Sequence, residues 1–83
     1  MNPIVFELYA NLERLAGARE HQLADAAGLV TVGDAVAQLG RERPELAPSL
    51  DRCACVTGDT IVRRAEALPS NGRIALLPPV AGG

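Results

Sequence analysis

The sequence predicts a single α+β domain in which a mixed sheet of four to five strands packs on one main helix. Three observations lead to this prediction. The chain has 83 residues with 48% hydrophobic content, which suffices for one small core. Short segments alternate apolar and polar residues, as strands do, whereas one longer segment repeats its apolar residues at helical spacing. One helix cannot cover both faces of a sheet, so the other face, if apolar, would be a partner surface.

The first predicted elements are a strand, a short helix and a returning strand. Residues 4–9 alternate, so that Ile4, Phe6 and Leu8 are predicted to share one face of a strand. Asn11 is predicted to cap a short helix, which Gly17 ends. Its apolar residues share one face: Leu12, Leu15 and Ala16. A weaker pattern over residues 20–25 predicts a short strand that returns beside the first.

The main helix is predicted to begin after Thr31. Thr31 is a favourable N-cap, and Asp34 places a negative charge in the first turn, where the helix dipole favours it. The apolar residues that follow obey the i, i+3, i+4, i+7 spacing: Val32, Ala35, Val36 and Leu39. Pro44 disfavours helical geometry at Arg43, so the helix should end by residue 42 or 43.

Three further strands complete the prediction. Residues 45–50, which follow Pro44 and contain Pro48, are predicted to form a connecting loop or short turn. Residues 53–56 and 60–62 are predicted strands around a turn of Thr57, Gly58 and Asp59. After a turn at residues 70–72, residues 73–77 supply a final strand, with Ile74 and Leu76 facing one way and Ala75 and Leu77 the other.

Composition excludes several classes of function. The net charge is −2, and the basic residues are arginines spread without a dense cluster, so nucleic acid is not an expected partner. No apolar run approaches the 18 to 20 residues that cross a membrane, and the N-terminus has no leader pattern. We therefore expect a cytoplasmic protein that does not bind membranes.

The remaining reactive or charged side chains receive structural interpretations. Cys53 and Cys55 are two residues apart on one face of a strand, which suits neither a disulfide framework nor a zinc site and favours buried apolar roles in a reducing compartment. His21 is interpreted as a solvated strand residue, and no metal site is predicted. Residues 63–66 are interpreted as a solvated charged loop, with a docking patch as the alternative.

The end of the chain is distinctive. We expect a domain over residues 1–77 and an extended tail over residues 78–83. Pro78 and Pro79 end sheet pairing and stiffen the exit, and the glycines let the chain enter a channel too narrow for other residues. A carboxylate at Gly83 would need activation with ATP, as an acyl adenylate. Attack by a persulfide would then give a thiocarboxylate, and attack by an amine a protein conjugate.

Two segments carry a resemblance to a known family. The closing residues 74–83, Ile-Ala-Leu-Leu-Pro-Pro-Val-Ala-Gly-Gly, closely resemble the end of the small subunit of molybdopterin synthase, a ubiquitin-like sulfur carrier. Residues 9–17, Tyr-Ala-Asn-Leu-Glu-Arg-Leu-Ala-Gly, resemble the first helix segment of that family. The resemblance implies a β-grasp (ubiquitin-like) fold and a non-catalytic, sulfur-donating subunit of a heterotetrameric sulfurtransferase complex.

The resemblance also implies a site and partners. Gly83 would be adenylated by a ubiquitin-activating-type enzyme that uses ATP, and a sulfur donor protein would convert it to a thiocarboxylate. The tail would enter the large subunit of molybdopterin synthase and give sulfur to a cyclic pterin precursor for the molybdenum cofactor. No cofactor would be bound by the carrier itself. The tail residues implied to contact the partner are Leu77, Pro78, Pro79, Val80, Ala81 and Gly82. A sulfur carrier for thiamine or another pathway, or a protein modifier, remains the alternative.

Overall fold

A computed structural model describes residues 3–79 of the chain. The elements in chain order are β1 (Val5–Leu8), α1 (Asn11–Ala16), β2 (Glu20–Gln22), α2 (Val32–Glu42), α3 (Ala47–Leu50), β3 (Ala54–Thr57), β4 (Thr60–Val62) and β5 (Arg73–Leu77). No helix in this part of the chain combines the length and apolar character that crossing a membrane requires.

The strands form one mixed five-stranded sheet in the order β2-β1-β5-β3-β4. The first and last strands of the chain, β1 and β5, lie side by side and parallel, with Phe6 opposite Ile74. The other three pairings are antiparallel. The predicted mixed sheet is therefore confirmed, and pairing between the two ends of the domain places β5 at its centre.

The inner face of the sheet packs on α2 through a continuous apolar core. The strand residues that were predicted to share one face are buried: Ile4, Phe6 and Leu8 on β1 and before it, and Ile74 and Leu76 on β5. The predicted stripe of α2 is buried as well: Val32, Ala35, Val36 and Leu39. A large apolar side chain contributes roughly 1.5–3 kcal/mol to stability when it is fully buried. Burial of these side chains therefore determines which face of each strand points towards the core.

Helix α2 begins and ends where the sequence predicts. Thr31 is the N-cap: its hydroxyl accepts a hydrogen bond from the Asp34 N–H at 3.1 Å, and Asp34 Oδ2 accepts from the Thr31 N–H at 3.0 Å. Two N–H groups that the helix cannot satisfy internally are thus paired. The helix ends at Glu42, and Arg43 leaves helical geometry before Pro44.

The prediction for α1 is wrong at its start. Asn11 is the first helical residue and not the cap; Ala10 occupies the cap position, with φ 54° and ψ −128°, and makes no side-chain cap hydrogen bond. Leu12 is buried, but Leu15 is 48% exposed, so the predicted apolar face is only partly used. The end is confirmed, because Gly17 adopts φ 72°, a left-handed geometry that glycine tolerates best.

The loop predicted over residues 45–50 instead contains helix α3 (Ala47–Leu50). Pro48 lies in its first turn, where the missing N–H has no intrahelical partner to lose. Leu46 and Leu50, one helical turn apart, are both buried. Pro44 and Pro48 indicated the end of regular structure, so no helix was predicted here.

Candidate functional site

The candidate site begins where the central strand leaves the sheet. Strand β5 ends at Leu77, whose Cα partner on β3 is Ala54. Leu77 is 42% exposed, and Pro78 and Pro79 follow outside the sheet. Four predicted site residues, Val80, Ala81, Gly82 and Gly83, lie outside the described residues. The structure therefore describes the domain and the first two residues of the predicted tail, Pro78 and Pro79.

The outer face of the sheet is apolar on the side of β5, β3 and β4. Register places Ala54 beside Leu77, and Val56 between Ala75 and Ile61. Ile61 is 74% exposed, the largest exposure among the large hydrophobic residues described. We call these five residues the outer apolar strip: Ala54, Val56, Ile61, Ala75 and Leu77. The strip is continuous with the tail exit, because Leu77 belongs to both.

The other half of the outer face is charged. Arg73 on β5 donates from Nε to Glu7 Oε2 on β1 at 3.0 Å and also bonds Glu20 on β2. Tyr9 donates from its hydroxyl to the other Glu7 oxygen at 3.2 Å. The hydrogen bond with Glu7 raises the pKa of Tyr9, with the Glu7 charge adding to it. These contacts fix three strands in register and set a polar border along the outer apolar strip.

A cleft of about 520 Å³ lies beside the exit of the tail. We call it the tail cleft; its lining residues are Ala10, Asn11, Pro48, Ser49, Arg52, Pro78 and Pro79. The cleft forms because the start of α1, the helix α3 and the last residues of the described chain lie side by side. Among residues 3–79, no carboxylate pairs with the guanidinium of Arg52.

No signal in the sequence indicated the tail cleft. Ala10 adopts the only positive φ of a non-glycine residue within residues 3–79, a geometry that costs roughly 1–3 kcal/mol and often occurs at functional sites. A glycine there would have signalled the turn, but alanine gives no such signal. Ser49 lies in the segment that was predicted to be a connecting loop or short turn, and Arg52 follows that segment, so nothing linked either residue to the tail.

The burial predicted for the two cysteines is confirmed, and the solvated position predicted for His21 is wrong. Cys53 and Cys55 are free thiols that are buried in the core, with exposures of 3% and 1%. Burial raises the pKa of both thiols. His21 is not solvated, because the end of α2 lies beside β2: its Nε2 lies 2.9 Å from Glu42 Oε1, and its Nδ1 accepts from Arg43 Nε at 3.3 Å.

The charged loop is also more structured than predicted. Arg64 donates from Nη2 to the backbone oxygens of Leu50 and Cys53, the latter at 3.3 Å. Glu66 Oε2 accepts a hydrogen bond from the Arg63 N–H at 2.7 Å. Arg64 therefore ties the loop to the end of α3 and the start of β3. Within residues 3–79, no cluster of potential ligands has the geometry to hold a metal ion.

Comparison with known families gives one match. The model of the ThiS family matches residues 6–83, which include both the sheet and the predicted tail. No curated protein gave a significant match.

Solved structures share the fold over essentially the whole chain. SAMP1 from Haloferax volcanii is 29% identical, with a TM-score of 0.83 and coverage of 99% of this chain and 100% of that chain. The small archaeal modifier protein 1 from Methanosarcina acetivorans is 24% identical, with a TM-score of 0.77 and coverage of 100% and 98%. A Pyrococcus furiosus protein with the provisional name molybdopterin converting factor, subunit 1, is 17% identical, with a TM-score of 0.78 and coverage of 96% and 100%. These matches confirm the predicted β-grasp fold.

Proposed function

The chain belongs to the ThiS family of ubiquitin-like sulfur-carrier proteins, and from this premise we propose that it carries sulfur on the carboxylate of Gly83. The observation that carries the proposal is the continuity of the central strand β5 with the Pro78-Pro79 exit, beside an open apolar face. A partner that binds this face would lie next to the tail. The folded domain would provide the surface that partners bind, and Gly83 would be the reactive group.

The chemistry requires an activating partner that uses ATP. A carboxylate oxygen of Gly83 would attack the α-phosphorus of ATP, and pyrophosphate would leave. The persulfide of a sulfur donor protein would then attack the acyl carbon, with AMP as the leaving group. A second thiol of the donor would reduce the resulting acyl disulfide, so that the carrier keeps a thiocarboxylate and the donor keeps a disulfide.

The outer apolar strip is the proposed docking surface for these partners. Exposed apolar side chains that lie together lose water when a complementary surface covers them, which yields about 25 cal/mol per Å². The strip is also bordered by the charged contacts of Arg73 with Glu7 and Glu20. Such a border favours one orientation of the partner over others. Partners that bind here are held beside the tail exit.

We further propose the pathway of the molybdenum cofactor. The support is the closing sequence Pro-Pro-Val-Ala-Gly-Gly of residues 78–83 and its resemblance to the small subunit of molybdopterin synthase. In this proposal the tail enters the large subunit of the synthase in a heterotetramer and gives its sulfur to a cyclic pterin precursor. The precursor is the substrate, and the carrier itself binds no cofactor. The competing proposal is that the protein carries sulfur for thiamine synthesis.

Intact-mass analysis tests the chemical part of the proposal. The protein is incubated with ATP, the activating enzyme and a persulfide donor, and we expect a species in which one oxygen of Gly83 is exchanged for sulfur. A variant with one alanine added after Gly83 keeps the fold and removes the reactive terminus, so it should stay unmodified. Absence of the exchange in the unaltered chain, with an active donor, would refute the carrier function.

The pathway is tested separately. Thiocarboxylated protein is mixed with the large subunit and either a cyclic pterin precursor or the acceptor system for thiamine. Formation of the sulfur-containing pterin supports the molybdenum pathway. Sulfur transfer only in the thiamine system would show that the protein serves the thiamine pathway instead. The formation of the thiocarboxylate is common to both pathways, so it would not be affected by this outcome.

A protein modifier is the second candidate, favoured by the 29% identity to SAMP1. In this case a lysine amine of another protein would attack the activated Gly83. The chain contains no lysine, since its eight arginines account for all eight basic residues, so it could not extend chains through its own side chains. Denaturing gels that show covalent adducts dependent on Gly83 would support this candidate over sulfur transfer.

A further inference from the structure

We propose that the surface which residues 3–79 place within reach of the tail is kept free of reactive nucleophiles, so that an activated acyl group at Gly83 survives until a partner captures it. This inference rests on the proposed activation of Gly83. It adds a property of the body of the protein: the body does not compete with the partners for the acyl group.

The tail cleft is the described surface to which an acyl group at Gly83 is tethered through Pro79. Pro79 lines this cleft together with Ser49 and Arg52. The four residues from Pro79 to Gly83 span at most about 14 Å when fully extended. This short tether joins the acyl group to the cleft within one chain. Any amine or thiol in the cleft would therefore meet the acyl group at a high effective concentration, of the order of mM or more.

The basic residues cannot capture the acyl group. All eight are arginines, and a guanidinium stays protonated in proteins because its charge is delocalised over the planar group. Arg52 therefore provides a positive charge in the tail cleft without providing a nucleophilic amine. A lysine at the same position would provide both, since a fraction of its ammonium loses its proton near neutral pH.

The thiols are withdrawn from the surface. Cys53 and Cys55 point into the core, with exposures of 3% and 1%. A thiol attacks as its thiolate, and burial disfavours that charged form at both positions. Neither sulfur is accessible to the tail while the domain is folded, although Cys53 follows Arg52 directly in the sequence.

The other side chains that could attack the acyl group are a paired imidazole and hydroxyl groups. Both ring nitrogens of His21 make contacts, Nε2 with Glu42 at 2.9 Å and Nδ1 with Arg43 at 3.3 Å, so no lone pair is free to attack. The hydroxyl of Tyr9 donates to Glu7, and this hydrogen bond raises the pKa of Tyr9, which disfavours the reactive phenolate. The described surface thus offers hydroxyls and guanidinium groups, which are weak nucleophiles at neutral pH.

The consequence can be tested by placing an amine in the tail cleft. In an Arg52→Lys variant, Nζ would attack the acyl carbon of Gly83. A C–N bond forms, the bond to the leaving group breaks, the leaving group departs with the electron pair, and the amine loses a proton to water. The product is an internal isopeptide that lacks one water relative to the free acid.

The experiment uses a thioester at Gly83 with a small thiol, prepared without any activating enzyme. The α-amine of every variant is acetylated, so that side chains alone are compared. Arg41→Lys is the matched control, because Arg41 lines a different cavity, between α2 and α3. We expect the unaltered chain to lose its thioester by hydrolysis only. Arg52→Lys should form the isopeptide at least about tenfold faster than Arg41→Lys, with residues 52 and 83 linked in the peptide map.

A thiol arm supports the amine arm. Ser49→Cys should exchange its thiol with the thioester faster than Ala27→Cys, an exposed residue that does not line the tail cleft. Internal acylation of the unaltered chain, or equal rates for Arg52→Lys and Arg41→Lys, would overturn the inference. Because the thioester is made chemically, this result is independent of whether any enzyme adenylates or sulfurates Gly83.

Discussion

His21 on the edge strand β2 and Glu42 at the end of α2 are joined by a contact of 2.9 Å between Nε2 and Oε1. The Glu42 carboxylate also accepts hydrogen bonds from the Ala24 N–H at 2.8 Å, the Asp25 N–H at 3.0 Å and Gln38 Nε2 at 2.8 Å. One side chain therefore holds β2, the loop after it and the main helix together.

This arrangement predicts an acid-sensitive stability. Partial burial raises the pKa of Glu42, but the hydrogen bonds from Gln38, Ala24, His21 and Asp25 outweigh it and lower the pKa from 4.5 to about 2. The folded pKa is below the unfolded one, so the stabilisation is complete above pH 4.5 and is lost as the pH falls towards 2.

Chemical denaturation across this pH range measures the effect. Glu42→Gln should lower the free energy of unfolding by about 2 kcal/mol at neutral pH, and the difference from the unaltered protein should close by pH 2. Glu13→Gln is the control, because its one ion pair, with Arg19 at 3.4 Å, is exposed. Parallel curves for the unaltered chain and Glu42→Gln would contradict the assignment.

Backbone strain at Ala10 predicts a stabilising substitution. Its φ of 54° is a geometry that glycine adopts without a steric penalty. Ala10→Gly should raise the free energy of unfolding by about 1 kcal/mol, because relief of strain exceeds the entropy that glycine adds to the unfolded chain. Ala27→Gly, at an exposed loop residue without positive φ, should instead be neutral or slightly destabilising. A loss of stability in Ala10→Gly would show that Ala10 is not strained.

The guanidinium of Arg64 predicts a difference between arginine and lysine. It bonds the backbone oxygens of Leu50 and Cys53 from one planar group, and a lysine ammonium lacks that fixed geometry. Arg64→Lys should lower the free energy of unfolding by about 1–2 kcal/mol, whereas Arg63→Lys, at the exposed neighbour, should leave it nearly unchanged. Thermal unfolding of the two variants side by side decides the matter, and equal midpoints would rule out the bridging role.

The outer apolar strip predicts a binding defect without a folding defect. Ile61 is 74% exposed, so Ile61→Asp should unfold like the unaltered chain. Its affinity for the activating enzyme or the large subunit should fall at least about tenfold, because a carboxylate would be buried against an apolar surface. Val30→Asp is the matched control, since Val30 is 66% exposed but lies before α2 and outside the strip. Similar titration calorimetry results for both variants would remove the strip as the docking surface.

Local chemistry made much of the fold predictable. Thr31, Asp34 and Pro44 act within a few residues of their own positions, so the limits of α2 follow directly from the sequence. The same is true of the turn around Gly58, which adopts φ 63°, and of the alternation in β1 and β5. These signals depend on backbone preferences and on which side chains avoid water.

The site was predictable only in part. The resemblance of the closing sequence indicated the tail, and the structure describes its exit at Leu77, Pro78 and Pro79. The tail cleft was not predictable, because Arg52 and Ser49 meet Pro79 through the packing of α3 against the rest of the fold. The bonds of His21 with Glu42 and Arg43 were missed for the same reason, since about twenty residues separate the partners in the chain.

The sequence by itself determined the strands and the main helix, the residues that share one face of a strand, the family resemblance and the absence of lysine, since each of these is a property of composition or short-range spacing. The tertiary structure alone decided that β5 lies between β1 and β3, that the outer face is divided into apolar and charged halves, and that Arg52 lies beside the tail exit. The physical reason is that strand order and helix packing bring distant residues together through burial of a shared core, and no local pattern records which distant surfaces will meet.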